Sequence, residues 1–407
     1  MHKLNDYVSI IGENEISELR LIAEKLKGRR ILNINSTAVG GGVAEILNNM
    51  IPLLKDMEID AAWEVIKGGE QFYAVTKKFH NALHGKQETF TDEEYQLYLD
   101  TVASNAPQLS LDSDIVFVHD PQPAALIRER SKHNNRWVWR CHIDLSQRDQ
   151  NLWNFLRPIV EKYDASVFSA PAFAQGLPNR QILISPSIDP LSDKNKELPD
   201  ETIRKVLEQF QIDFHRPIVT QVSRFDYLKD PVGVVEAYRL VKPYVDCQLV
   251  LAGGSADDDP EGAKVLAEVR EKAANDPDIH ILCLHPASHI EINALQRAST
   301  VILQKSLKEG FGLTVSEGLW KGKPAIAGAV GGIPLQITHR YSGILTRSIE
   351  GTAYWLKQIL QSPAFAKKLG DNGKEHVRNN FLLTRHLKDY LLLFLSLSRD
   401  GENVIYL

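Results

Sequence analysis

Short apolar runs bounded by turn residues recur along this chain at 30–35, 61–65, 115–119, 137–142, 165–169 and 181–185, with helix-like stretches between most of them. Runs of this length read as buried strands, and their alternation with helices calls for a parallel sheet covered on both faces. At 185–196 prolines and polar residues break the pattern, which reads as an interdomain linker with the boundary near 190. Alternation then restarts at 217–223, 247–253, 279–284, 300–304 and 324–328. The expected fold class is therefore α/β, with two Rossmann-like doubly wound domains over 1–190 and 191–382. The stretch 385–398 is apolar on several faces, so the tail from about 383 to 407 is expected to dock on protein, back on the first domain.

A length of 407 residues suits two cores of ordinary size. Hydrophobic residues at 43% and charged residues at 24% describe a globular chain. The net charge is −5 and no basic run is interleaved with aromatics, which argues against a nucleic-acid partner. The first residues lack the apolar centre of a secretory signal, and no apolar run is long enough to span a bilayer, so no membrane association is expected. Cys141, Cys247 and Cys283 are widely spaced without a Cys-x-x-Cys pair, which suits buried small side chains in a reducing cytoplasm. A small-molecule substrate is the class that remains.

Three stretches carry chemistry. In the first, a strand leads into Gly40, Gly41 and Gly42 and then an amphipathic helix, an arrangement that lets backbone N–H groups approach a phosphate or simply makes a tight turn. The dinucleotide fingerprint fails there, because Glu45 stands where its third glycine belongs. That failure argues against a nicotinamide oxidoreductase. In the second, Arg224 and Lys229 sit at the carboxyl end of the second domain's first strand, where open parallel sheets bind ligands. Two cations there suit a diphosphate, although Arg224 could equally pair with Asp226 or Asp230. The third runs through Glu309, Gly310, Phe311, Gly312, Leu313 and Glu317 directly after a strand. One carboxylate can reach a sugar and the other a ribose diol, while the bland account makes Glu317 a first-turn acid favoured by the helix dipole. A hydrolase is disfavoured, since no Gly-x-Ser-x-Gly elbow occurs. The run Asp257, Asp258 and Asp259 reads as a helix cap rather than a metal site, and His80 with His84 lacks a third ligand. A non-catalytic sugar-binding protein would not call for the cation pair with spaced glutamates.

The serine-arginine pair followed by lysine, and two glutamates with seven residues between them, resemble the signature of retaining GT-B glycosyltransferases. Residues 35–37, 40–47, 79–83, 119–126, 139–145 and 258–262 narrow the resemblance to trehalose glycosyltransferring synthases over nearly the whole chain. That resemblance implies facing domains with a deep cleft, and transfer of glucose from ADP- or UDP-glucose to free glucose, reversibly giving α,α-trehalose. It implies that Arg224 and Lys229 bind the diphosphate, Glu317 the ribose, and Glu309 with the backbone of Phe311, Gly312 and Leu313 the transferred glucose. Gly41 and Gly42 would line the donor phosphates, His142 would lie beside the anomeric carbon, and Asp120, Gln122 and Asp144 would meet acceptor hydroxyls. No cofactor or resident metal is implied, with Mg²⁺ at most stimulatory, and a homodimer is left open. Trehalose phosphorylase has a related layout, making phosphate the rival partner. Asp230 departs from the glycine many such proteins carry after the lysine, an expected weakening of the positive potential at the phosphate.

Overall fold

The computed structural model describes residues 2–38, 41–254 and 260–399. The chain divides into two compact units, one comprising Met1–Pro186 with the segment from Leu383 onward, the other Ser187–Leu382. Each unit is built on its own six-stranded parallel sheet.

In the first unit the strands are β1 (Arg30–Asn35), β2 (Asp60–Val65), β3 (Ile115–His119), β4 (Arg136–Cys141), β5 (Ala165–Phe168) and β6 (Arg180–Leu183), in the order β2-β1-β3-β4-β5-β6. All five residues of β3 are buried, as expected of a central strand covered on both faces. The helix Gly41–Asp56 follows β1 and buries Ala44, Leu47, Met50 and Leu54, the spacing of one helical face. The C-terminal helix Leu383–Ser398 lies on this same unit. It buries Leu387, Tyr390, Leu391 and Phe394, its Lys388 reaches Glu18 at 2.7 Å, and Arg385 Nη2 donates to the Ser185 carbonyl at 2.7 Å.

In the second unit the strands are β7 (Ile218–Val222), β8 (Gln248–Gly254), β9 (Ile279–Leu284), β10 (Val301–Gln304), β11 (Ala325–Gly328) and β12 (Ile344–Thr346), in the order β12-β11-β10-β7-β8-β9. Valines and leucines of β7, β8 and β10 pack with the helices Pro231–Val241 and Ile349–Gln361 into one core. The three-residue β12 was not among the expected strands, because Ser342, Gly343 and Arg347 around it leave no apolar run to read.

One expectation is corrected. Cys283 is exposed while Cys141 and Cys247 are buried, because β9 is an edge strand with one side uncovered. Within the polar stretch at 185–196 the division between the units falls after Pro186. Ile188, Asp189 and Asn195 are buried in the second unit, where Asn293 Nδ2 donates to the carbonyls of Asp193 and Lys196 at 2.9 and 2.8 Å.

Candidate active site in two units

Each sheet order reverses once, between β1 and β3 in the first unit and between β7 and β10 in the second. Open α/β sheets bind ligands at the carboxyl ends of strands at such a reversal, because the flanking helices depart to opposite faces and leave a crevice. Gly41, Gly42, Asp120 and Gln122 follow β1 and β3, His142 and Asp144 follow the adjacent β4, and Arg224, Lys229, Glu309 and Glu317 follow β7 and β10.

In the second unit, the loops after β7 and β10 meet. Lys229 Nζ lies 2.5 Å from Glu309 Oε2, with both side chains mostly buried. Ser306 Oγ donates to the same carboxylate oxygen at 3.2 Å. Arg224 stands apart from this pair: its side chain is 74% exposed and its guanidinium meets Asp226 Oδ2 at 3.1 Å. Surface pairing of Arg224 and its availability to a ligand are thus both features of one conformation. Gly312 is left-handed, with φ of 80°, and it starts the helix Leu313–Trp320, which aims the amino end of that helix at the Glu309 loop. Phe311 is buried against Phe381, and its carbonyl accepts from Gln336 Nε2 at 2.5 Å. Gln336 Oε1 in turn accepts from Ser316, fixing the loop to the helix.

Glu317 is the fifth residue of that helix, beyond the first turn, so the dipole account does not explain it. It is 4% exposed and held by Gln296 Nε2 at 3.1 Å and Lys194 Nζ at 3.6 Å. Beneath it, burial pulls the Lys321 ammonium down to about 7 while its Nζ donates to Asn195 Oδ1 at 3.0 Å. The charge of Asp230 is matched by Lys305, and its φ of 48° is one that glycine adopts as readily.

In the first unit, His142 follows the end of β4 and faces His119 at the end of β3. His119 Nδ1 is 3.2 Å from His142 Nε2, and His119 Nε2 is 3.1 Å from Asn33 Oδ1 on β1. Arg140, fully buried, directs its Nε to the His142 ring at 3.2 Å and its Nη2 to the Ile184 carbonyl at 3.0 Å. Burial, and then the Arg140 charge, pushes His119 down to about 3 and His142 well below its usual value, so both imidazoles are neutral. Asp120 has φ of 67° and its Oδ1 accepts the His142 backbone N–H at 2.8 Å. Burial lifts its carboxyl to about 6 against the opposing effects of that bond and of Arg140. Asp144 Oδ1 accepts the Ser146 N–H at 2.8 Å, closing a turn. Gln122 carries a buried Oε1 that has no hydrogen-bond partner among the described residues. Gly41 and Gly42 open the helix Gly41–Asp56, whereas Gly40 and the aspartates 257–259 lie outside the described residues.

Sequence reasoning missed Asn33, His119, Lys305, Ser306 and the Gly331–Gly332 turn. The last had a signal, a glycine pair just beyond a strand end. Gly332 N donates to the Gly310 carbonyl at 3.0 Å, so this turn backs the Glu309 loop. A cavity of about 420 Å³ at the amino ends of β3 and β4, lined by residues such as Leu109, Asp112 and His133, lies away from these groups. Among the described residues no three His, Cys, Asp or Glu side chains come together as a metal would need, and no helix is long and apolar enough to cross a membrane.

Residues 33–175 match the family model described as trehalose synthase, N-terminal domain, and residues 203–376 match glycosyl transferases group 1. The chain is 47% identical to the trehalose synthase of Pyrococcus horikoshii over 401 residues, covering 97% of this chain and 96% of that one. It is 27% identical to the trehalose phosphorylase of Pleurotus pulmonarius, over 98% of this chain and 62% of that one. Among solved structures, the UDP-forming α,α-trehalose-phosphate synthase of Burkholderia xenovorans superposes with a TM-score of 0.73 at 14% identity, covering 90% of this chain and all of that one, a likeness of GT-B fold.

Proposed function

The chain belongs to the trehalose synthase family of glycosyltransferases, and we propose that it transfers glucose from a nucleoside diphosphate donor to free glucose, reversibly forming α,α-trehalose with the donor's configuration kept. The observation that carries this reading is the Lys229–Glu309 pair at the reversal of the second sheet. A cation and a carboxylate that neutralise each other without ligand present two complementary groups to a molecule that is anionic at one end and a polyol at the other. A nucleotide sugar is such a molecule.

In this reading Lys229 leaves Glu309 for the diphosphate, joined by the exposed Arg224, and the two neutralise the charge that grows as the bond from the anomeric carbon to phosphate oxygen breaks. These cations stand in place of a metal, so the transfer needs neither metal nor cofactor. The freed Glu309, still bonded to Ser306, orients glucose hydroxyls. The acceptor hydroxyl attacks the anomeric carbon from the face the diphosphate is leaving, and its proton passes to a phosphate oxygen, which retains configuration. In the first unit the neutral His142 exchanges hydrogen bonds with sugar hydroxyls without adding charge, beside the carboxyl of Asp120 and the unpartnered Oε1 of Gln122. Groups that hydrogen-bond individual hydroxyls discriminate against sugars lacking them. Glu317 would hold the ribose once its bond to Gln296 loosens.

Product analysis tests the reading. Labelled ADP- or UDP-glucose with free glucose should give, by NMR, a disaccharide with two α anomeric linkages and no reducing end. A reducing disaccharide, or transfer only to glucose phosphate, would overturn it. The phosphorylase likeness supports a second reading, and release of glucose 1-phosphate from trehalose and phosphate without any nucleotide would establish that one instead.

A further inference from the structure

The loops after β7 and β10 are joined by two ion pairs whose polarity is crossed. The first loop carries Lys229 followed by Asp230, and the second carries Lys305 and then Glu309. Lys229 meets Glu309 and Asp230 meets Lys305, while the Leu307 N–H donates to the Leu228 carbonyl at 2.8 Å between them. The two bridges are not equivalent. Glu309 keeps Ser306 Oγ as a partner at 3.2 Å when Lys229 is withdrawn. Asp230 is anchored on its other side: its Oδ1 accepts the Gly233 N–H at 3.1 Å as the cap of the helix Pro231–Val241. The side chain of Lys305 is 10% exposed, so it has little water to turn to if Asp230 is lost. The first bridge can therefore open when an anionic ligand takes over Lys229, since Glu309 keeps a partner, whereas the other is built into the loop.

We infer that Lys305 is a positioning residue for the donor: its fixed bridge to Asp230 keeps the two loops joined and occupies the Asp230 carboxylate, so that Lys229 can leave Glu309 for the diphosphate. Without the Lys305 ammonium, the Asp230 carboxylate is uncompensated beside Lys229 in the chain and competes with the ligand for that cation. The bridge also accounts for an acidic residue next to a phosphate-binding lysine, because the pair as a whole is neutral. This inference rests on the donor reading of the second unit.

The test is calorimetric binding of ADP and UDP, with donor and acceptor KM, kcat and thermal midpoint, for the wild type, Lys305→Met, Asp230→Asn and the double variant. Asn at 230 keeps both the cap and the left-handed conformation. Lys305→Met should weaken nucleotide binding and raise donor KM about tenfold, the factor that matches one pKa unit of charge interaction. Acceptor KM should stay unchanged, and kcat should fall less than donor KM rises. The double variant should recover most of the loss, since it removes the competing carboxylate together with its partner. A merely structural bridge would instead lower the thermal midpoint without this selectivity for the donor. Unchanged nucleotide affinity in Lys305→Met, or a double variant as weak as the single one, would overturn the inference. If the wild type itself binds neither nucleotide, the donor reading fails and the inference falls with it.

Discussion

Replacing Gly331 with alanine should impair transfer far more than it impairs folding. Gly331 has φ of 54°, and a Cβ built there would sit 1.6 Å from the carbonyl oxygen of Glu309. Real Cβ contacts essentially never fall under 3.0 Å, so the Glu309 carbonyl must retreat by about 1.4 Å, the difference between 3.0 and 1.6. Flexible side chains cannot absorb that movement, since the atom struck is backbone. The Gly332 N–H to Gly310 bond lies in the same contact and ties the turn to the loop. A shift of that size exceeds the tolerance of the 2.5 Å Lys229–Glu309 pair. Misplacement of a positioning group by about 1 Å costs on the order of a hundredfold in rate. The left-handed conformation itself costs alanine about 1–2 kcal/mol, or roughly 2–8 °C in the melting of a unit of this size. Gly322 supplies the control, because it has φ of 71° and nothing within 4 Å of a built Cβ. Gly322→Ala should melt lower by that conformational cost alone and keep activity within about threefold. Steady-state kcat/KM with a nucleotide-glucose donor, beside calorimetric melting, reads both. Equal activity of the two alanine variants would refute the argument that the Gly331 turn positions Glu309.

Arg224→Ala and Lys229→Ala should each lower kcat about a hundredfold, the loss typical of one preorganised charge-stabilising group, with melting little changed for the exposed Arg224 and lowered for Lys229, whose loss leaves the buried Glu309 carboxylate without its cation; near-normal turnover in either removes it from the diphosphate role. Chelator should leave most transfer activity intact, and complete loss restored by Mn²⁺ or Mg²⁺ would reverse the metal-independent reading. Acid stability should depend on Asp278, whose carboxyl is held well below its usual range first by its hydrogen bond to Arg216 at 2.6 Å, against the opposing effect of burial, and also by Lys242. A depressed folded-state pKa contributes stability above the unfolded value near 3.9 and loses it as pH falls further. Asp278→Asn should therefore lower the urea midpoint at pH 7 and flatten its decline on acidification; an unchanged pH dependence would contradict this.

The strand frame and the glutamate–lysine layout were legible in the sequence because each rests on local signals: buried β-branched runs, glycines at strand ends and charges just beyond them. What escaped notice depends on residues far apart in the chain. The contact of Asn33 with His119 joins two neighbouring strands, β1 and β3, that lie 86 positions apart in the chain, and nothing at Asn33 marks it as anything but a polar residue in a buried strand. Lys305 reads as one more surface cation until Asp230, seventy-five positions earlier, is found against it. Cys283 was misjudged since a run of apolar letters does not reveal that its strand lies at an edge. The likelihood that Arg224 would pair with Asp226 was readable from spacing alone, whereas the capture of Lys229 by Glu309 required the sheet order that brings β7 beside β10.

The return of the C-terminal helix to the first unit bears on how this protein is made. The second unit is contiguous, so all of its contacts can form once residue 382 has left the ribosome. The first unit is interrupted, and the ring of Phe117 waits for Tyr390, whose centroid lies 5.0 Å away. Arg140, under His142, waits for the same tyrosine at 5.4 Å. At about 5–20 residues per second, translation of the intervening segment takes roughly 10–40 s. During that interval the nascent first unit lacks the cover that Leu387, Leu391 and Phe394 later supply, so its core closes only when the helix Leu383–Ser398 arrives.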